Sequence, residues 1–205
     1  MPVARKPETL SLIAGLSALP GRPDNSVLVM IDPQLEYSVG RLPLAGIDAA
    51  VEEGARLLSF ARARRMPVIH VIHHARPGAA MFDPLGPYVG FIPALAPLEG
   101  ESVIIKGLPN SFAGTGLAAA ITATGRREIV IAGFATHMCV SATARSALDH
   151  GFRSTVVANA TATRDLPHPF ESSIVSAAAV HTATLAALSD RFSVVVQDTN
   201  ALSIA

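Results

Sequence analysis

The chain has 205 residues, half of them apolar and only 16% charged, with 16 basic side chains balanced by 16 acidic ones. That length suits one sizeable core, and a zero net charge leaves no basic field for nucleic acid. A single cysteine excludes an internal disulfide framework and a cysteine-rich metal cage, and agrees with a reducing, cytoplasmic setting.

In chain order, the opening MPVARKPETLSLIAGLSALPG holds a short apolar patch broken by Pro, Gly and an acidic residue, and does not read as a signal peptide. Residues 1–25 read as an N-terminal extension packed on a single domain spanning 1–205. The first strand is expected at 26–31 (SVLVMI) and a helix over 46–65. In that helix Val51, Leu57, Leu58 and Ala61 line one face, while Glu52, Glu53, Arg56 and Arg64 face solvent. A second strand, 67–73 (PVIHVIH), is opened by Pro67. The stretch 74–101 is crowded with Pro and Gly and too long for a plain connection, so it reads as a lid or a pocket wall.

Further strands follow at 102–105, 128–132, 154–158 and 193–196, with helices at 114–124, 138–150 and 170–189. The strands are uniformly apolar instead of alternating, as in a doubly wound α/β fold whose six-stranded parallel sheet is covered on both faces. The longest uncharged stretches, 107–125 and 172–189, carry Gly, Pro, Asn, Ser, Thr or His and do not read as membrane spans. The apolar excess and the Ala-rich run SSIVSAAAVHTATLAAL imply surface buried between copies, hence a homodimer or homotetramer.

In an open parallel sheet the ligand crevice lies beyond the carboxyl ends of the strands, where the strand order reverses. Asp32 ends the first strand, Lys106 ends the third, and Cys139 follows the fourth. A thiol needs a base, a carboxylate can take its proton, and an ammonium nearby favours both anions. A cysteine at a helix start also gains from the dipole and from free backbone N–H groups. Each residue has a plainer role: Cys139 as small buried core, Asp32 as a turn cap before Pro33, and Lys106 as an ordinary surface lysine. Together they describe an acid-base-assisted cysteine hydrolase acting on a small-molecule substrate.

The segments VLVMIDPQLEY, VIIKGLPNSFAGTGL, IVIAGFATHMCVSATARSALDHGF and VVANATATRDLP, in this order, resemble the isochorismatase-like cysteine hydrolases. That family includes nicotinamidases, N-carbamoylsarcosine amidohydrolases and ureidoacrylate amidohydrolases, and the resemblance runs from about residue 26 to the last strand. It implies a three-layer αβα fold with strand order 3-2-1-4-5-6 and a catalytic triad of Asp32, Lys106 and Cys139. It further implies an oxyanion hole from the N–H groups of Ala135 and Cys139, with a cis peptide at Phe134–Ala135.

Pocket positions matched by the resemblance, or neighbouring the triad, are Gln34, Tyr37, Phe82, Phe112, Phe134 and His137, with core packing as the plainer role of the aromatic ones. Phe91 on the long loop is a further wall, supplied within the chain or across a subunit boundary. The family's Asp-x-His metal motif after the second strand is replaced by HVIHHARPG, so neither metal nor cofactor is expected. His70, His73 and His74 then read as structural or substrate-contacting, and nicotinamidase activity is not implied. TATRDLP reads as a structural turn in which Asp165 caps or pairs with Arg164.

The implied activity is hydrolysis of a small amide or carbamoyl C–N bond through a thioester. The alternatives are vinyl-ether hydrolysis of the isochorismatase type, which the intact Cys139 argues against, and a non-catalytic binding, scaffold or thiol-sensing member.

Overall fold

The computed structural model describes residues 7–203, so the first six positions of the N-terminal extension lie outside it. A short helix, α1 (Leu10–Ile13), precedes β1 (Ser26–Ile31), α2 (Ile47–Ala63), β2 (Val68–His73), β3 (Ser102–Lys106) and α3 (Leu117–Ala123). Then come β4 (Glu128–Phe134), α4 (Ser141–Asp149), β5 (Arg153–Ala162), a small hairpin of β6 (Leu166–Pro167) and β7 (Ile174–Val175), α5 (Ala177–Arg191) and β8 (Ser193–Val196).

Six of these strands form one parallel sheet in the order β3-β2-β1-β4-β5-β8. This is the expected doubly wound α/β arrangement, with β8 as the sixth strand of the sheet. The reversal of strand order lies between β1 and β4, which puts the carboxyl ends of those two strands side by side. Uninterrupted aliphatic runs suit β1 and β4 because helices cover both of their faces. Leu28, Met30, Val130 and Phe134 pack toward Leu57 and Leu58 of α2, while Val29, Ile31 and Ile131 pack toward Ile121 of α3 and Ala144 of α4.

Several expectations change. The edge strand β3 is not covered on both faces: Val103 and Ile105 are 46% and 58% exposed, whereas Ile104 between them packs on the core. The helix expected at 170–189 begins at Ala177, since the β6–β7 hairpin takes the residues before it. Ser176 caps α5 by accepting from the Ala179 N–H, and Asp165 Oδ1 accepts from the Ala177 N–H at 2.7 Å, so Asp165 stabilises a helix start. Glu53, expected in solvent, is buried: Oε1 accepts from the backbone and hydroxyl of Thr199, and Oε2 takes Arg56. That contact pins the C-terminal segment, 146 positions away in sequence, and helical periodicity has no access to it. Among the described residues no helix is long and apolar enough to cross a membrane.

One glycine is dictated by the close approach at the switch point. Gly133 pairs with Ile31 and has φ +115, and a Cβ there would overlap the Ile31 carbonyl. Gly133→Ala is therefore expected to destabilise the fold by about 3 kcal/mol or more, from backbone strain plus overpacking. Urea unfolding checks this, and a midpoint equal to that of the parent would contradict it.

Candidate active site

The chain leaves β1 through Asp32, whose φ of +46 lies in the left-handed region that Asp tolerates better than most side chains. Its N–H is held by the Val71 carbonyl at 2.9 Å, and the Gln34 N–H returns to the Asp32 carbonyl at 2.8 Å. Lys106 ends β3, two strands away, a lateral separation of about 10 Å. Only a side chain as long as lysine's bridges most of that distance across β2. Its Nζ lies 2.7 Å from Asp32 Oδ2 and donates to Cys139 Sγ at 3.3 Å. Asp32, Lys106 and Cys139 are 0%, 2% and 4% exposed, so the three expected residues meet in a dry site.

Cys139 stands in a single π-type turn, Thr136–Val140, that leads into α4. The Phe134–Ala135 peptide is cis, and Ala135 continues with extended backbone. The Ala135 carbonyl accepts from the N–H groups of Met138 and Val140 at 3.0 and 3.3 Å, which closes the turn beneath the sulfur. The helical segment thus begins before the expected 138, and its first turn is wider than an α-turn.

The electrostatics correct one expectation. Burial, reinforced by the Asp32 charge and opposed by Lys106, pushes the Cys139 thiol up to about 12. Desolvation outweighs the ammonium, so Cys139 rests as a thiol, where the sequence implied a thiolate. Burial also raises Asp32 to about 6 against the pull of Lys106, leaving it ionised at neutral pH. Among the described residues the Asp32 carboxylate faces two polar groups, the Lys106 ammonium at 2.7 Å from Oδ2 and the Cys139 thiol. An ionised carboxylate beside a protonated thiol is chemically able to accept that proton.

Around the triad, Tyr37 packs edge-on against Phe82 and Phe134, with ring centroids 5.3 and 6.1 Å apart. Burial above all raises the Tyr37 phenol, so it stays protonated. Phe82 has φ +54 and is pinned by its N–H to Glu36 Oε2 at 3.2 Å. Glu36 is itself buried and accepts from the Arg41 N–H at 2.7 Å.

Other expected pocket residues are placed elsewhere. Gln34 commits both amide hydrogens to the carbonyls of His73 and Val89 and accepts from the His73 N–H. It ties β2 and the long loop to the Asp32 turn and has no donor left for Asp32 or a substrate. Phe112 stacks on His150 at 4.6 Å and on Phe152 at 6.0 Å. His150 lies at the far end of α4 from Cys139, about 16 Å along a helix, so Phe112 is core. The His137 ring reaches Thr163 beyond β5, on the side of the sheet away from Lys106. Phe91 bridges its backbone to Gln34 and sets its ring edge-on to His70.

The three histidines go to separate partners. His70 contacts Glu101 Oε2 at 3.0 Å, and Glu101 also takes a two-point contact from Arg62, latching the end of the long loop onto α2 and β2. Burial works to raise Glu101, but Arg62, the Leu98 N–H and His70 together hold it down at about 2, and it supplies the carboxylate that the sequence near His70 lacks. His74 donates its N–H to the Lys106 carbonyl. His73 contacts Lys106 Nζ through Nδ1 at 3.1 Å and packs against Phe82 at 5.0 Å. The sequence assigned no role to His73 in the triad; the strand register, which sets the end of β2 directly opposite Lys106, brings it there. Two cavities, of about 580 and 510 Å³, lie away from the triad, one beneath α1 beside β5 and β8 and the other between α2 and α5.

A family model described as the isochorismatase domain matches residues 26–199. The chain is 40% identical over 121 residues to a secreted isochorismatase effector, Isc1, of Verticillium dahliae, covering 59% of this chain and 64% of that protein. It is 35% identical over 139 residues to a maleamate amidohydrolase of Pseudomonas putida, covering 60% and 65%. These matches span slightly less than two thirds of either relative. A solved structure of an isochorismatase from Pseudomonas putida is 41% identical, covers 94% of this chain and 97% of its own, and superposes with a TM-score of 0.87.

Proposed function

Because the chain belongs to the isochorismatase family, we propose that it is a hydrolase cleaving the C–N bond of a small amide or carbamoyl compound, with Cys139 as nucleophile. The observation that carries this reading is the buried Asp32 carboxylate, ionised beside a neutral thiol, with Lys106 in contact with both. The amidohydrolase activity in the name of one relative supports the substrate class, and the tight burial of the triad supports a small substrate.

In this reading Asp32 takes the thiol proton as sulfur attacks the carbonyl carbon, and the carbonyl electron pair moves to oxygen. The N–H groups of Ala135 and Cys139 donate to that oxyanion, while Lys106 offsets the charge gathering on sulfur and carboxylate. Collapse breaks the C–N bond, and the leaving nitrogen takes the proton from Asp32. Water then attacks the thioester with Asp32 again as base, releasing the acid and restoring the thiol.

A screen for ammonia release over small amides, ureas and lactams is the direct test. The expected result is turnover of at least one small amide with an acyl adduct of matching mass on Cys139. Cleavage of a vinyl ether with no adduct, or no reaction with any C–N substrate, would reject the reading.

A further inference from the structure

We infer that His73 is a fourth member of the site, a neutral positioning residue that accepts one hydrogen of Lys106 and thereby aims the other two at Asp32 and Cys139. The inference rests on the hydrolase reading above and extends it to a residue outside the triad. Lys106 Nζ has three acceptors within reach: Asp32 Oδ2 at 2.7 Å, His73 Nδ1 at 3.1 Å and Cys139 Sγ at 3.3 Å. An ammonium has three N–H groups and no lone pair, so these contacts are satisfied together only if Nδ1 accepts. Acceptance fixes His73 as the tautomer protonated on Nε2.

The groups around the ring enforce that state. Burial, then the Lys106 charge and His74, hold His73 down at about 4, well below the pH at which Asp32 ionises. The imidazole is therefore neutral wherever the base is active. Its placement is rigid as well: the His73 backbone is bound through both N–H and C=O to the Gln34 amide, and Phe82 packs on the ring. Without an acceptor at this position, a buried ammonium would keep one unsatisfied N–H and would be free to rotate away from the sulfur.

The test compares His73→Phe with His73→Asn, whose Oδ1 sits at nearly the reach of Nδ1 and accepts but does not titrate. His73→Phe is expected to lower kcat about 10- to 100-fold, the usual consequence of losing a hydrogen bond to a charged group, with KM changed less than threefold. His73→Asn is expected to recover most of kcat and to keep the acid limb of the pH–rate profile where the parent has it. Full kcat in the Phe variant, an Asn variant no better than Phe, or an acid limb displaced in the Asn variant would each overturn the assignment. Cys139 alkylation by iodoacetamide separates this from the underlying reading. An alkylation rate that Asp32→Asn leaves unchanged means that the Asp32–Cys139 pair itself fails, and the role of His73 falls with it.

Discussion

Cys139→Ala is expected to remove turnover altogether, by roughly 10⁴-fold or more, while leaving the fold intact. The size follows from the chemistry: without sulfur there is no atom to form the thioester, and the Asp32 base and oxyanion donors retain only what they contribute to direct attack by water. The fold survives because the sulfur's polar contacts are weak, that from Lys106 being 3.3 Å long, and the 2.7 Å ion pair between Lys106 and Asp32 remains. Kinetics with an ammonia readout, intact-mass analysis of quenched reactions and thermal unfolding check the three parts. Residual activity within tenfold of the parent would assign the nucleophile elsewhere.

Asp32 and Lys106 give the second large effect, and here activity and stability separate. Asp32→Asn removes the proton acceptor and is expected to lower kcat/KM by about 10²- to 10⁴-fold. Breaking a buried ion pair commonly costs about 3–5 kcal/mol, yet burial already disfavours the charged form of Asp32. The neutral amide resembles the protonated acid that the fold favours, so the urea midpoint at pH 7 is expected to hold or rise.

The sign of the linkage agrees. A folded-state value near 6, above the usual 3.8, means that this group's stabilising contribution is complete below pH 3.8 and lost as pH rises through about 6. Catalysis runs the other way, increasing through about pH 6 as the carboxylate ionises, so the active form is the less stable one. Lys106→Met removes the charge that holds Asp32 down, and the acid limb is expected to move to higher pH with activity at pH 7 falling accordingly. An unmoved limb would show that Lys106 does not govern the base.

Much of the fold was legible because its cause is local. After their first residues SVLVMI and EIVIAGF are apolar throughout, as a strand covered on both faces requires, and such strands separated by helices order themselves as a parallel sheet. Polar residues at strand ends then identified Asp32, Lys106 and Cys139, since the carboxyl edge of such a sheet is where a crevice forms. The β6–β7 hairpin escaped because strands of two residues have no periodicity to detect. Glu53, Glu101 and Phe112 were misplaced or missed for a different reason: each is defined by a partner remote in sequence, Thr199, His70 and His150 respectively.

What the sequence by itself determined is therefore the class of fold and the strand-end positions of Asp32, Lys106 and Cys139, both of which follow from the order of apolar runs and polar residues along the chain. Only the tertiary structure decided the protonation states, because the Cys139 thiol and the Asp32 carboxylate are governed by desolvation, and burial is a property of everything packed around a group. It alone also brought His73 to Lys106 and withdrew Gln34 from the pocket, since a hydrogen bond is assigned by which atoms come within about 3 Å, and folding sets that distance.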